Sequence, residues 1–128
     1  MERATHLAAD SRDSRLTLRR VERQQYLIER LYRCAHRLTF HQLADELSVT
    51  QRTIARDIAR LRHSGVPITV VPGRSGGAAL AHRATLEPLE FDLPEIAALL
   101  ASLTALGPTA SESASSAMDK LVTALHAK

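Results

Sequence analysis

The 128-residue sequence has one cysteine, no tryptophan and only four other aromatic residues, and not one of its cations before residue 84 is a lysine. A lone Cys34 excludes an intrachain disulfide and any metal motif built on a cysteine pair, which fits a reducing compartment. Its place at the margin of an apolar helical stripe reads as a packed thiol, since no second cysteine could resolve an oxidised one. With so few aromatics, the core must come from Leu, Ile, Val and Ala, and an alanine-rich aliphatic chain is expected to be mostly helical. No run reaches the roughly 20 apolar residues of a membrane span. The N-terminus "MERATHLAADSRDSR" also lacks the apolar middle of a secretory signal, so a cytoplasmic protein with no membrane partner is expected.

The usual constellations of catalysis are missing as well. The six histidines (His6, His36, His41, His63, His82, His126) include no i, i+4 pair and no HExxH, which argues against a metal site. Ser111 lacks the flanking glycines of a nucleophile elbow, and Ser75, within Gly73-Arg74-Ser75-Gly76-Gly77, stands in a turn between two extended runs, whereas an elbow leads from a strand into a helix. The glycines around Arg74 are not followed by a helix carrying Lys-Ser/Thr, as a nucleotide loop requires. No catalytic residue, metal or cofactor is expected, and the chain is read as a non-enzyme.

What the sequence does have is arginine, unevenly distributed. Residues 1–83 hold fifteen arginines against eight Asp/Glu, and residues 84–128 hold two lysines against six Asp/Glu, giving about +7 and −4 of the net +3. A solvated cationic surface is one reading of the first part. The other is nucleic acid, because the planar guanidinium fork can bond phosphate or guanine bidentately.

Residues 1–17 are polar, poor in large apolar residues and rich in Arg, Asp and Ser, and are expected to form a disordered basic arm. From about Arg19 to His36, Val21, Leu27, Ile28, Leu31, Tyr32 and Ala35 share one broad helical stripe, which predicts a first helix. In "LTFHQLADELSVTQRTIARDIARLRHSG", Thr39 is a candidate N-cap for a short helix holding Leu43, Ala44 and Leu47. Thr50 is a candidate N-cap for another, whose Ile54, Ile58 and Leu61 repeat at i, i+4, i+7. Only "LSV" lies between them, enough for a tight turn, and Gly65 with Pro67 stops the second helix. A longer supporting helix followed by two short helices is the pattern of a helix-turn-helix.

At about 100° per residue, pointing Ile54, Ile58 and Leu61 inward places Arg52, Arg56, Ala59 and His63 on the opposite face, with Thr53 and Arg60 on one flank. Asp57 falls towards the apolar side, where it can pair with an arginine of the supporting helix instead of opposing phosphates. The following "VPITVVPGRSGGAALAH" reads as two extended runs, Ile68–Val71 and Ala78–Ala81, around a glycine-rich turn that carries Arg74. A helix-turn-helix followed by a hairpin is a winged helix, whose wing can reach a flanking phosphate or the minor groove.

The run "QLADELSVTQRTIARDIARLRHSGVPITVVPGRSGGAAL" resembles the N-terminal winged helix-turn-helix of bacterial WYL-domain transcriptional regulators, in which R-x-T-[IV]-x-R-D-[IL]-x-x-L is followed by a glycine-rich wing. The similarity continues through "LEPLEFDLPEIAALLASLTAL". Carried over by position, Thr50, Gln51, Arg52, Thr53 and Arg56 face DNA, with Arg74 on the wing. Together with the cap Thr39, the flanking Arg60 and the wing Ser75, these are the candidate DNA contacts. Two features depart from the family pattern: Ala79 stands where wings commonly carry an aromatic residue, and the resemblance contains no WYL domain, so no effector is implied.

In residues 84–128, Asp92, Pro94 and Glu95 open a helix with Leu99, Leu100, Leu103 and Leu106 on one side, closed by Gly107-Pro108. A second stripe, Ala114, Ala117, Met118, Leu121, Val122 and Leu125, follows. The expected organisation is therefore a basic arm (1–17), a winged helix-turn-helix (18–83) with recognition helix at about 51–63 and wing at about 68–82, and a helical linker or dimerisation segment (84–128). The fold class is mainly α with a small β-hairpin. The reading this supports is a homodimeric, sequence-specific regulator of double-stranded DNA. The alternatives are a winged helix used as a protein-interaction module and the regulatory front of a larger protein.

Overall fold

A computed structural model describes residues 2–81, 86–107 and 111–127, with side chains from residue 16 onward. His82 and Arg83, at the end of the expected wing segment, and Pro108, the expected helix stop, lie outside the described residues. The chain divides into two compact units, residues 1–84 and 85–128.

The first unit begins with α1, Glu2–Arg33, a single helix of 32 residues. Residues 2–17 are thus helical in backbone, where polarity alone suggests a disordered arm. Their composition is rich in good helix formers, and the first glycine and proline of the chain are Gly65 and Pro67, so nothing upstream interrupts the ladder. The exposure of Leu16 and Leu18 shows that burial is not what extends the helix here. Further along, Leu27 and Leu31, one turn apart, enter the core.

Helix α2, Phe40–Leu47, starts at a capping box. Thr39 Oγ1 accepts the Gln42 backbone N–H at 3.0 Å, and Gln42 Oε1 accepts the Thr39 N–H at 2.9 Å, so two otherwise orphaned donors are satisfied together. Leu38 and Leu43, before the cap and at the helix's fourth residue, are both buried in the core, the positions of a hydrophobic staple. The turn that follows is Ser48–Thr50 rather than Leu47–Val49, because Ser48 adopts the left-handed conformation (φ 55°) that terminates α2 one residue later than the sequence suggests. Helix α3, Gln51–His63, is capped by Thr50, whose Oγ1 accepts from the Thr53 N–H at 3.1 Å. It ends with Gly65 at φ +104° and a Val66 N–H to Leu61 O bond of 3.0 Å, closing the last turn.

Strands β1, Ile68–Val71, and β2, Gly77–Leu80, pair antiparallel with Ile68 opposite Leu80 and Val71 opposite Gly77. The second strand therefore begins at Gly77, which the sequence places in the turn. The reason lies outside the hairpin: Leu38 and Ala78 exchange backbone bonds of 2.9 and 3.0 Å, so the α1–α2 connection adds a one-residue third strand. A Cβ on Gly77 would sit 2.2 Å from the Leu38 carbonyl oxygen, and its φ of +139° suits only glycine. The core that these elements enclose is aliphatic, with Leu27, Leu31, Leu38, Leu43, Ile54, Ile58, Leu61 and Ile68 at its centre.

The second unit contains α4, Leu93–Leu106, capped by an Asp92/Glu95 box, and α5, Glu112–His126, capped by Ser111. The two helices pack on each other. The architecture is a winged helix-turn-helix followed by helices. Among the described residues no helix is long and apolar enough to cross a membrane.

A cluster outside the core ties α1 to α2. Arg30 donates to Glu46 at 2.9 and 3.0 Å, and Tyr26 Oη donates to the same carboxylate at 3.1 Å. The Arg30 hydrogen bond foremost, with smaller help from Tyr26, holds the Glu46 carboxyl below its usual value near 4.5. A carboxyl depressed in the folded state stabilises fully above its ordinary pKa, and that contribution disappears as pH falls through the folded value. Both charged partners are about one-third exposed, which limits the effect. Glu46→Gln is expected to lower stability by at most about 1 kcal/mol at pH 7. The gap from the parent should close in urea titrations carried out well below the ordinary carboxylate range.

Candidate nucleic-acid interface

The geometry of α3 decides which side chains reach a partner. Ile54, Ile58 and Leu61 are buried, and so, fully, is Asp57. A carboxylate removed from water must be neutralised and hydrogen-bonded where it lies. Arg23 of α1 does this with a two-pronged contact, Nε to one carboxylate oxygen and the terminal nitrogen to the other at 3.2 Å, and Gln24 Nε2 adds a third donor at 3.4 Å. The pairing of Asp57 with an arginine of the supporting helix follows from its inward position on the helix.

With its one acid turned inward, α3 shows an outer face of one sign. Arg52, Arg56, Ala59, Arg60 and His63 are all exposed. Arg52 and Arg56 stand one turn apart, and neither forms an ion pair with another described residue. Arg60 is looser than Arg23 towards Asp57, its Nη1 lying 3.7 Å from the carboxylate with about half the side chain exposed.

The other sequence-predicted residues separate by role. Thr39 and Thr50 commit their hydroxyls to helix caps, and Thr53, half-buried, lies 3.1 Å from the Thr50 hydroxyl. Arg74 and Ser75 are exposed at the hairpin turn. Gln51, first residue of α3, is exposed, with its Nε2 3.4 Å from His41 Nδ1. A cleft of about 650 Å³ brings Thr39, Gln51 and Arg74 together, walled by Phe40 and Val70–Gly73. Arg52, Arg56 and Ser75 lie outside it, and Arg60 lines a different groove, with Arg20 and His63.

Two residues absent from the sequence-derived contact set belong to this surface. His41 lines the cleft between α2 and the hairpin and pairs with Asp45 at 3.3 Å, and Arg20 of α1 flanks the end of α3. The position of His41 in the first turn of a capped helix was a usable signal. Nothing in the sequence marked Arg20, because its neighbours come from a helix some forty residues away. Among the described residues no group of His, Cys, Asp and Glu is arranged to hold a metal ion.

Residues 23–77 match a protein-family model described as an HTH domain. The match runs from the Asp57-binding end of α1 through α2 and α3 to the first residue of β2. No solved structure matches the chain. The fold and the match together show a helix-turn-helix domain at residues 23–77.

Since Asp57 is fully buried, Asp57→Ala leaves Arg23 without its counter-charge, and a loss of about 3 kcal/mol in chemical denaturation is expected. In a double-mutant cycle with Arg23→Ala, the two losses should be strongly non-additive.

Proposed function

We propose that this protein is a sequence-specific, double-stranded-DNA-binding transcriptional regulator of the kind that opens bacterial WYL-domain regulators, working in the cytoplasm as a homodimer. The observation that carries the reading is the one-signed face of α3: Arg52 and Arg56 exposed and free of ion pairs with described residues, while the helix's only acid is buried and neutralised. Side chains of this type at the start of a recognition helix reach guanine edges in the major groove. Gln51, ahead of them, can make a bidentate contact to adenine. Arg74 and Ser75, on the tip beyond, suit a phosphate or the rim of the minor groove.

Base reading and backbone holding have different signatures. Arg52→Ala or Arg56→Ala should weaken binding to the preferred duplex by about 1 to 3 kcal/mol and relax selectivity at particular base pairs. Arg74→Ala should weaken all duplexes alike and lower the salt slope by about one. The preferred duplex comes from selection in a random pool, where an inverted repeat should be enriched. If the two α3 variants lose equal free energy on preferred and scrambled duplexes, base readout by this helix is wrong. If no duplex binds at physiological salt, the arginine face belongs to an acidic protein partner.

The second unit supports the homodimer. None of the fourteen residues of α4 is buried, its only charge is Glu95, and α5 buries Ala114 alone. Leu99 and Val122 are about 40% exposed, so the helix pair leaves apolar surface uncovered. A two-helix unit of this size is near the lower limit for a self-sufficient core, and a second copy of the same pair would complete it. Sedimentation equilibrium should show a concentration-dependent dimer, with Leu99→Glu and Val122→Glu shifting it to monomer. An intact chain that stays monomeric at high concentration removes this part of the reading.

A further inference from the structure

A second basic groove lies at the other end of the recognition helix. It encloses about 600 Å³ between α1 and α3, with Arg20, Val21 and Gln24 on one wall and Ala59, Arg60, His63 and Ser64 on the other. Among the described residues that line it, none is acidic. From this we infer that the groove seats the phosphate backbone of the second DNA strand, across the major groove from the strand held by the hairpin. The inference rests on the DNA-binding reading above and extends it to α1.

Three observations carry it. The first is position. Gln51 lines the cleft at the start of α3 and His63 lines this groove at its end, twelve residues on, which is about 18 Å of helix axis. A major groove is about 12 Å wide, so a helix lying in it with these two ends brings one basic recess to each bounding strand.

The second is charge. Arg20 forms no ion pair with another described residue, and His63 adds a ring N–H that can donate to phosphate. Its apolar lining, Val21 and Ala59, is too small to form a slot for an anchoring side chain, whereas a sugar-phosphate chain needs only width and donors.

The third is the release of Arg60. Asp57 already accepts from both prongs of Arg23 and from Gln24, so the 3.7 Å approach of Arg60 is a surplus interaction beyond hydrogen-bond range. Arg60 can swing to a phosphate without leaving the buried carboxylate unpaired. One arginine thus keeps the helix in place, and the other is available to DNA.

The test uses the whole chain and the duplex selected for it, with single phosphates replaced by neutral methylphosphonates along both strands. The parent protein should be sensitive at phosphates on both edges of one major groove. Arg20→Gln should abolish sensitivity on one edge only, and Arg74→Ala on the other. The slope of log affinity against log salt should fall by about 0.9 for Arg20→Gln and about 1.8 for Arg20→Gln with Arg60→Gln, on selected and scrambled duplexes alike. Thermal melts followed by circular dichroism confirm that each variant is folded, and the single Arg20→Gln change carries the test should the double variant not fold. An unchanged slope and interference map in Arg20→Gln overturns the inference while leaving the DNA-binding reading intact. A parent protein that binds no duplex overturns both. Tight binding of polyglutamate to the parent, lost in Arg20→Gln without any change in the duplex map, assigns the groove to an acidic protein instead.

Discussion

The ion pair between Arg23 and the buried Asp57 is the contact on which the orientation of α3 depends. A single acid inside an otherwise aliphatic interface cannot be left unpaired, and its partners are supplied from one place on α1. Such a pair adds little net stability compared with a well-packed apolar contact, yet it specifies register strongly, since any rotation or slide of α3 that separates the charges exposes the full desolvation penalty. The helix therefore has one permitted rotation about its axis. In that rotation the residues opposite the core are Arg52, Arg56 and His63.

Backbone hydrogen bonding supplies the second constraint. Between α2 and α3 the chain has only Ser48, Val49 and Thr50, and each helix end there is satisfied within those residues: the Ser48 and Val49 N–H groups return to α2, and the Thr50 hydroxyl receives the first turn of α3. A turn with its polar groups accounted for is short and stiff, and it fixes the angle between the two helices. The hairpin is held in turn by Leu38, whose backbone pairs with Ala78 and whose side chain is in the core. Because Gly77 has no side chain, the two backbones can approach closely enough for that pairing. The wing is thus attached to the front of α2, and the cleft beside Thr39, His41 and Gln51 follows from that attachment.

The second unit follows a different logic. Its helices have well-formed caps, so their ends are locally encoded, and the leucines and isoleucine of α4 share one broad side, with Glu95, Ser102 and Thr104 as the helix's polar side chains. Such a side needs a covering partner for the helix to be stable. Among the described residues of 85–128, α5 is the helix that packs on it, and Ala114 is the one that is buried.

Much of this was legible in the sequence, because it depends on local chemistry. The caps at Thr39, Thr50 and Asp92, the glycine stop at Gly65, the i, i+4, i+7 stripe of α3 and the two extended runs after it all depend on residues within a few positions of one another. Helical geometry alone put Arg52 and Arg56 opposite the core and Asp57 towards it. The helical backbone of residues 2–17 was missed because polarity was weighed above helix propensity, although no glycine or proline interrupts the segment. What tertiary structure alone decided involves residues distant in the chain. Examples are the choice of Arg23 among the arginines of α1 as the partner of Asp57, the start of β2 at Gly77 through its approach to Leu38, and the meeting of Arg20 with Arg60 and His63. A sequence periodicity states which way a side chain points from its own helix. Which side chain of another element it meets is set by packing, and packing is defined only when the whole core closes.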